Sequence, residues 1–152
     1  MKHTFVYVTY IRTMPAKLWE ALTTPEFNRR FWLGAHQESG WQKGDSWTLR
    51  YDDGPITDTG EIVEAQPGKR LVLRWRNEFM PDLKAEGFSR CTFDISENGN
   101  DVTELRVTHE TDGANFLKAV SGGWPMVLSG LKTLLETGAP LGVARQGEAK
   151  AA

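Results

Sequence analysis

Between Ser46 and Glu110 the chain alternates apolar and polar residues in one run after another: Ser46-WTLRY, Thr59-GEIVEA, Arg70-LVLRWRNEF, Ser89-RCTFDIS and Val102-TELRVTHE. Alternation at period two sends successive side chains to opposite faces, so each run specifies a strand with one apolar side. Trp47, Leu49 and Tyr51 share a side, as do Leu71, Leu73 and Trp75, then Cys91, Phe93 and Ile95, then Leu105, Val107 and His109. Opposite them stand Arg70, Arg74 and Arg76 with Val72, then Arg90, Thr92 and Asp94, then Glu104, Arg106 and Glu110. Asp52-DGP, Gln66-PGK and Glu97-NGND supply turns, the last containing the Asn-Gly pair that favours a short hairpin. Such a sheet is antiparallel, with one wet face and one face that another element must cover.

The covering element is Gly122-GWPMVLSGLKTLLET-Gly138. Trp124, Val127, Leu128, Leu131, Leu134 and Leu135 recur at helical spacing. At about 100° per residue they form an apolar stripe roughly 120° wide. Pro125 is placed in the first turn of this helix and Gly138 just past its end. At the other end of the chain, residues 4–11 (TFVYVTYI) form a first strand, and Thr13-MPAKLWEALTTPEFNRRFW carries two short helices. Leu18, Trp19 and Leu22 make the face of the first, with Thr13 as N-cap and Pro15 in its first turn. Thr24-Pro25 opens the second, where Phe27 and Phe31 stand four apart. The expected architecture is α+β: a curved antiparallel sheet of about six to seven strands around a long C-terminal helix, with two short helices after the first strand. One domain is expected over 1–144, and Arg145-QGEAKAA (145–152) is a tail with little to bury, expected to be disordered.

Bulk properties exclude several function classes. A net charge of −2 lacks the basic surplus that nucleic acid demands. No apolar run approaches the roughly 20 residues that span a membrane. The opening Met1-KHTFVYVTYI alternates like a strand, without the charged region, apolar core and cleavage site of a signal peptide. A single cysteine permits no internal disulfide and fits a reducing cytoplasm. Six tryptophans point to a large aromatic interior.

This pattern resembles the helix-grip domains of the START/birch-pollen-allergen (Bet v 1-like, SRPBCC) superfamily. Within it, the chain is similar to the family named after the activator of heat-shock protein 90 ATPase, homologue 1-like. The likeness is carried by Pro15-AKLWEALTTPEFNRRFW, Gly60-EIVEAQPGKRLVLRW, Leu105-RVTHE and Gly123-WPMVLSGLKTLL, and extends over roughly residues 4–138. It implies a long C-terminal helix resting in the concave sheet, often over a hydrophobic cavity that the two short helices close at one end. Superfamily members include lipid, sterol and hormone binders, polyketide cyclases and dehydratases, and co-chaperones, and fold alone does not select among them. The eukaryotic activators carry an additional N-terminal domain, so activation of a chaperone ATPase is not expected of this single domain.

Site expectations follow from parity. Trp47, Tyr51, Trp75, Phe93 and Trp124 are the candidate pocket aromatics, with Phe31 and Trp32 at the end closed by the second short helix. Leu73, Cys91, His109, Val127, Leu128 and Leu131 complete the expected ligand-binding set; the alternative is that all of these simply pack a solid core. His109 is either an acid–base group or ligand donor in the cavity, or a half-buried histidine satisfied by backbone or water. Cys91 is either a buried structural thiol or one that touches ligand. Gly130 either widens the gap beneath the helix or permits close packing. Arg70, Arg74 and Arg76 form a solvated row or a docking face for an acidic partner. His3, His36 and His109 are far apart, and neither metal-ligand spacing, a nucleotide-binding glycine motif nor a nucleophile motif is present, so no metal and no cofactor is expected. The favoured function is non-catalytic binding of a small hydrophobic or aromatic molecule, by a monomer or homodimer that binds neither nucleic acid nor membrane. Two alternatives stand beside it: a cyclase-, dehydratase- or hydrolase-like enzyme using His109 with Tyr51 as donor, and a stress-related, co-chaperone-like module.

Overall fold

The alternating runs pair into a seven-stranded antiparallel sheet in a computed structural model that describes residues 1–142. The elements follow as β1 (His3–Arg12), α1 (Pro15–Thr23), α2 (Pro25–Phe31), β2 (Ala35–Ser39), β3 (Ser46–Tyr51), β4 (Ile56–Gln66), β5 (Arg70–Asn77), α3 (Pro81–Ala85), β6 (Ser89–Glu97), β7 (Val102–Thr111) and α4 (Ala114–Thr137). The sheet order is β1-β7-β6-β5-β4-β3-β2, so the first strand closes the meander beside the last. Trp124, Val127, Leu128, Leu131 and Leu134 of α4 are buried with Leu71, Leu73, Trp75, Phe93, Leu105 and Val107 of the sheet, as parity requires. The tail expected at 145–152 lies outside the described residues.

The sheet bends where the sequence permits close backbone approach. Gly60 of β4 faces Trp75 of β5, and a Cβ built on it would lie 1.6 Å from the Arg74 carbonyl oxygen. Only glycine fits there. Register shifts at Leu49/Arg50, opposite Ile56–Asp58, and at Ile62/Glu64 add β-bulges along β4 on either side of Gly60. On the outer face Arg70 lies 2.6 Å from Asp94 and 3.4 Å from Glu64, while Arg74 stacks on the Phe88 ring.

Several local expectations are corrected. The long helix begins at Ala114 rather than at Gly122, so Gly122, Gly123 and Pro125 all lie inside it. Its start is held from outside: Glu86, just after α3, accepts the backbone N–H groups of Asn115 (3.1 Å) and Phe116 (2.8 Å). These are two of the orphan donors of a helix N-terminus. Gly113, the N-cap, leaves room for that carboxylate. Gly138 ends the helix as expected, with φ 80° and its N–H on the Leu134 carbonyl. Thr13 does not cap α1; Met14 holds the N-cap position, and the Thr13 carbonyl accepts instead from Thr103 Oγ1 of β7. The strand expected to run to Phe79 stops at Asn77, whose side-chain oxygen takes the N–H groups of Phe79 and Met80 and turns the chain into α3. The β6–β7 connection is a short hairpin, as the Asn-Gly pair favours, closed by a four-residue loop with positive φ at Gly99, Asn100 and Asp101.

Candidate functional site

The gap between sheet and helix is occupied chiefly by indole rings. Trp75 stands at the centre, with ring centroids 4.6 Å from Trp47, 5.7 Å from Trp124 and 6.1 Å from Trp32. Trp124 adds edge-on contacts to Trp32 (5.4 Å) and Phe93 (5.7 Å). Such tilted and edge-on arrangements match the ring quadrupoles. Each indole N–H of Trp47, Trp75 and Trp124 has a buried acceptor: Gln37 Oε1, Asp58 Oδ2 and His109 Nδ1, respectively. Gln37 also donates to the Leu22 carbonyl, and Asn28 to the Ala21 and Leu22 carbonyls, so this network locks α1 and α2 onto β2.

The aromatic layer leaves one apolar cleft of about 160 Å³ beneath the N-terminal half of α4. Trp32, Trp75, Trp124, Phe116, Leu83 and Val127 form its walls. Gly123 contributes no side chain to it, and a Cβ there would meet nothing within 4 Å. The polar side chains at its edge are Asp58 and Asn77, paired across β4 and β5. Asp58 is only 6% exposed. Its Oδ2 accepts Trp75 Nε1 (2.7 Å) and Asn77 Nδ2 (3.3 Å). Burial raises the pKa of this carboxyl against the opposing pull of its hydrogen bonds, and the nearby Glu78 charge adds to the rise. Wider hollows lie elsewhere: one of about 280 Å³ between α2 and α4, lined by Arg30, Phe31, Met126, Gly130 and Leu141, and one of about 430 Å³ in the β3–β4 turn around Tyr51 and Pro55.

His109 is fully buried and faces the helix side, as its parity requires. It is packed against the rings of Trp75, Trp124 and Phe116, which themselves line the cleft. An indole can only donate, so Trp124 Nε1–H (3.1 Å) fixes His109 Nδ1 as the acceptor. The proton then sits on Nε2 and is donated to Ser89 Oγ (2.8 Å), whose own hydroxyl donates to the Trp75 carbonyl (3.0 Å). Burial pulls the His109 pKa down to about 3. Both ring nitrogens are committed, which leaves no free position for a substrate proton. The histidine is satisfied by side chains, rather than by the backbone or water expected of it.

Of the residues expected at the site, Trp32, Trp75, Trp124 and Val127 line the cleft. Phe31, Trp47, Leu73, Cys91, Phe93, His109, Leu128 and Leu131 are buried in the packed core around it. Tyr51 lies at the β3–β4 turn beside the loop hollow. Burial pushes the Cys91 thiol well up, so it behaves as a small hydrophobe. Gly130 permits close packing: a Cβ there would lie 3.0 Å from the Phe31 carbonyl oxygen. Asp58, Asn77, Leu83, Phe116 and Gly123 were not anticipated. Asp58 and Asn77 sit at strand positions where a polar residue reads as solvent-facing, and Leu83 and Phe116 belong to helical segments without a legible start. Among the described residues no group of three or more His, Cys, Asp or Glu side chains is placed to hold a metal ion, and no helix is long and apolar enough to cross a membrane.

The family described as "Activator of Hsp90 ATPase homolog 1-like protein" matches residues 12–136. No curated protein matches the chain. Similar solved structures include CalU16 from Micromonospora echinospora, with a TM-score of 0.72 at 22% identity over 89% of this chain and 77% of that one. An Hsp90 activator from Plasmodium falciparum has a TM-score of 0.72 at 20% identity, covering 87% and 95%. The Aha1 dimer from Colwellia psychrerythraea has a TM-score of 0.70 at 19% identity, covering 90% and 98%. At these identities the likeness establishes the helix-grip fold.

Proposed function

The chain belongs to the Activator of Hsp90 ATPase homolog 1-like family, and from that premise we propose that it is a non-catalytic binding protein for a small, largely apolar molecule. The observation that carries this reading is the cleft beneath α4, walled by Trp32, Trp75 and Trp124 and kept open by Gly123. Sites for drug-sized ligands occupy roughly 300–1,000 Å³, so the 160 Å³ here suits something much smaller. A dry cavity of roughly 150 Å³ takes up a benzene-sized molecule. The sterol- or lipid-sized ligands of other superfamily members would require the indole layer to move. An enzyme using His109 is disfavoured, because its nitrogens are bonded to Trp124 and Ser89 and its ring lies behind the cleft walls.

The test is titration with single-ring probes such as toluene and benzyl alcohol, followed through tryptophan fluorescence and the NMR shifts of Trp32, Trp75, Trp124 and Val127. Saturable shifts confined to these residues are expected, and Gly123→Leu should abolish them. Shifts that fail to saturate, or that persist unchanged in Gly123→Leu, would overturn the reading.

A further inference from the structure

Resting on that binding role, we infer that the ligand is an amine: a single apolar ring or short chain bearing a protonated nitrogen that Asp58 receives at the edge of the cleft. Asp58 is a buried carboxyl, and among the described residues no lysine, arginine or histidine forms an ion pair with it. The neighbouring charges are already satisfied by one another. Arg76 is paired with Glu78, and Lys84 Nζ lies 3.3 Å from Glu78 Oε1. Burying a carboxyl without a cation is costly, and hydrogen bonds from neutral donors offset only part of that cost. Here Trp75 Nε1 and Asn77 Nδ2 converge on Oδ2, and Thr57 adds a further neutral hydrogen bond to the carboxyl.

The carboxylate decides the sign of the ligand: it favours an ammonium group and repels an anion. Trp32, Trp75, Trp124 and Phe116 enclose the space beside it and supply the apolar walls that exclude water, with Trp75 turning its N–H edge to the carboxyl. The volume of about 160 Å³ limits the apolar part to one ring or its aliphatic equivalent. A neutral alcohol of the same size would fill the cleft, yet gain no ion pair with Asp58.

Benzylamine, benzyl alcohol and benzoate separate these contributions, because they share a ring and differ at the head group. At pH 7, isothermal titration or NMR titration of the intact chain is expected to give benzylamine at least a tenfold tighter Kd than benzyl alcohol, with benzoate weakest. Asp58→Asn, which keeps an acceptor for Trp75 Nε1, should remove the amine preference while benzyl alcohol still binds. Equal affinity of benzylamine and benzyl alcohol in the wild-type chain overturns the amine assignment and leaves the binding role standing. An amine preference that survives in Asp58→Asn overturns it too. Failure of all three probes overturns the assignment together with the binding role. Should Asp58→Asn fail to fold, the wild-type comparison decides alone.

Discussion

Trp124 Nε1 donates to His109 Nδ1 across the interior, at 3.1 Å, and this contact ties the long helix to the sheet by a polar bond inside an otherwise aromatic layer. It continues through His109 Nε2 and Ser89 Oγ to the Trp75 carbonyl on the neighbouring strand. The chain of donors works only with a neutral imidazole. A proton on Nδ1 would face the Trp124 N–H, donor against donor.

That geometry predicts acid sensitivity. The His109 pKa is about 3 in the folded chain against the ordinary histidine value of 6.5. Between those values the unfolded state binds the proton and the folded state does not, so stability rises with pH across the window and is lost as pH falls through it. The slope is roughly 1.4 kcal/mol per pH unit below pH 6.5. Asp58, whose carboxyl is raised by burial, acts with the opposite sign, so the measurement is cleanest in an Asp58→Asn background. Urea midpoints should fall from pH 7 to pH 5, and His109→Gln, which can both accept from Trp124 and donate to Ser89, should flatten that dependence. An unchanged slope in His109→Gln would show that the histidine is not the group responsible.

Gly122 and Gly123, two of the three glycines inside α4, should separate stability from binding. A Cβ on either Gly122 or Gly123 meets nothing within 4 Å, so replacing each by alanine should stabilise the helix by up to about 1 kcal/mol. Gly123 borders the cleft and Gly122 does not. Thermal melts should therefore rise for both variants, while the affinity for a single-ring probe falls for Gly123→Ala alone. Equal loss of affinity in both would place the ligand elsewhere.

Gly60→Ala should be the most damaging single methyl addition in the sheet. The new Cβ would sit 1.6 Å from Arg74 O and 3.3 Å from Trp75 Cα, and backbone atoms cannot swing aside as a flexible side chain can. Overpacking typically costs about 1–3 kcal/mol, and a backbone clash belongs at or above the upper end of that range. Denaturant unfolding of the variant should show a loss of about 3 kcal/mol or more, and a loss under 1 kcal/mol would mean that β4 and β5 separate there more easily than their register implies.

The fold was legible because period two and helical spacing report directly on which side chains are buried. Leu71, Leu73, Trp75, Phe93, Leu105 and Val107 all stand on the side that parity gave them. The segments that escaped notice are those whose buried groups are polar or whose signals are remote. Ala35–Ser39 is a strand with His36 and Gln37 buried, and Gln37 is buried because Trp47 and Asn28 supply its partners from elsewhere in the chain. The start of α4 was unreadable for a related reason: its cap is Glu86, 29 residues from the Asn115 whose N–H it accepts. The tryptophans of the site were legible, but the side chains that decide how open the space is were not. Volume depends on how the four indoles tilt against one another, which spacing along a chain does not encode.

Glu86 offers a test of that remote cap and of its bearing on the site. Its two carboxylate oxygens hold the N–H groups of Asn115 and Phe116, and its negative charge faces the positive end of the α4 dipole. Removing a cap of this kind costs about 1 kcal/mol. The first turn of α4 carries Phe116, which packs edge-on against His109 at 5.0 Å and walls the cleft. Glu86→Ala is therefore expected to lower stability by about 1 kcal/mol, to speed amide hydrogen exchange in the first turn of α4, and to weaken probe binding through disorder of Phe116. Glu86→Gln retains one acceptor without the charge and should fall between the two. Unchanged exchange at Asn115 and Phe116 in Glu86→Ala would mean that the helix start holds without the carboxylate, and that Phe116 is fixed by packing against His109 alone.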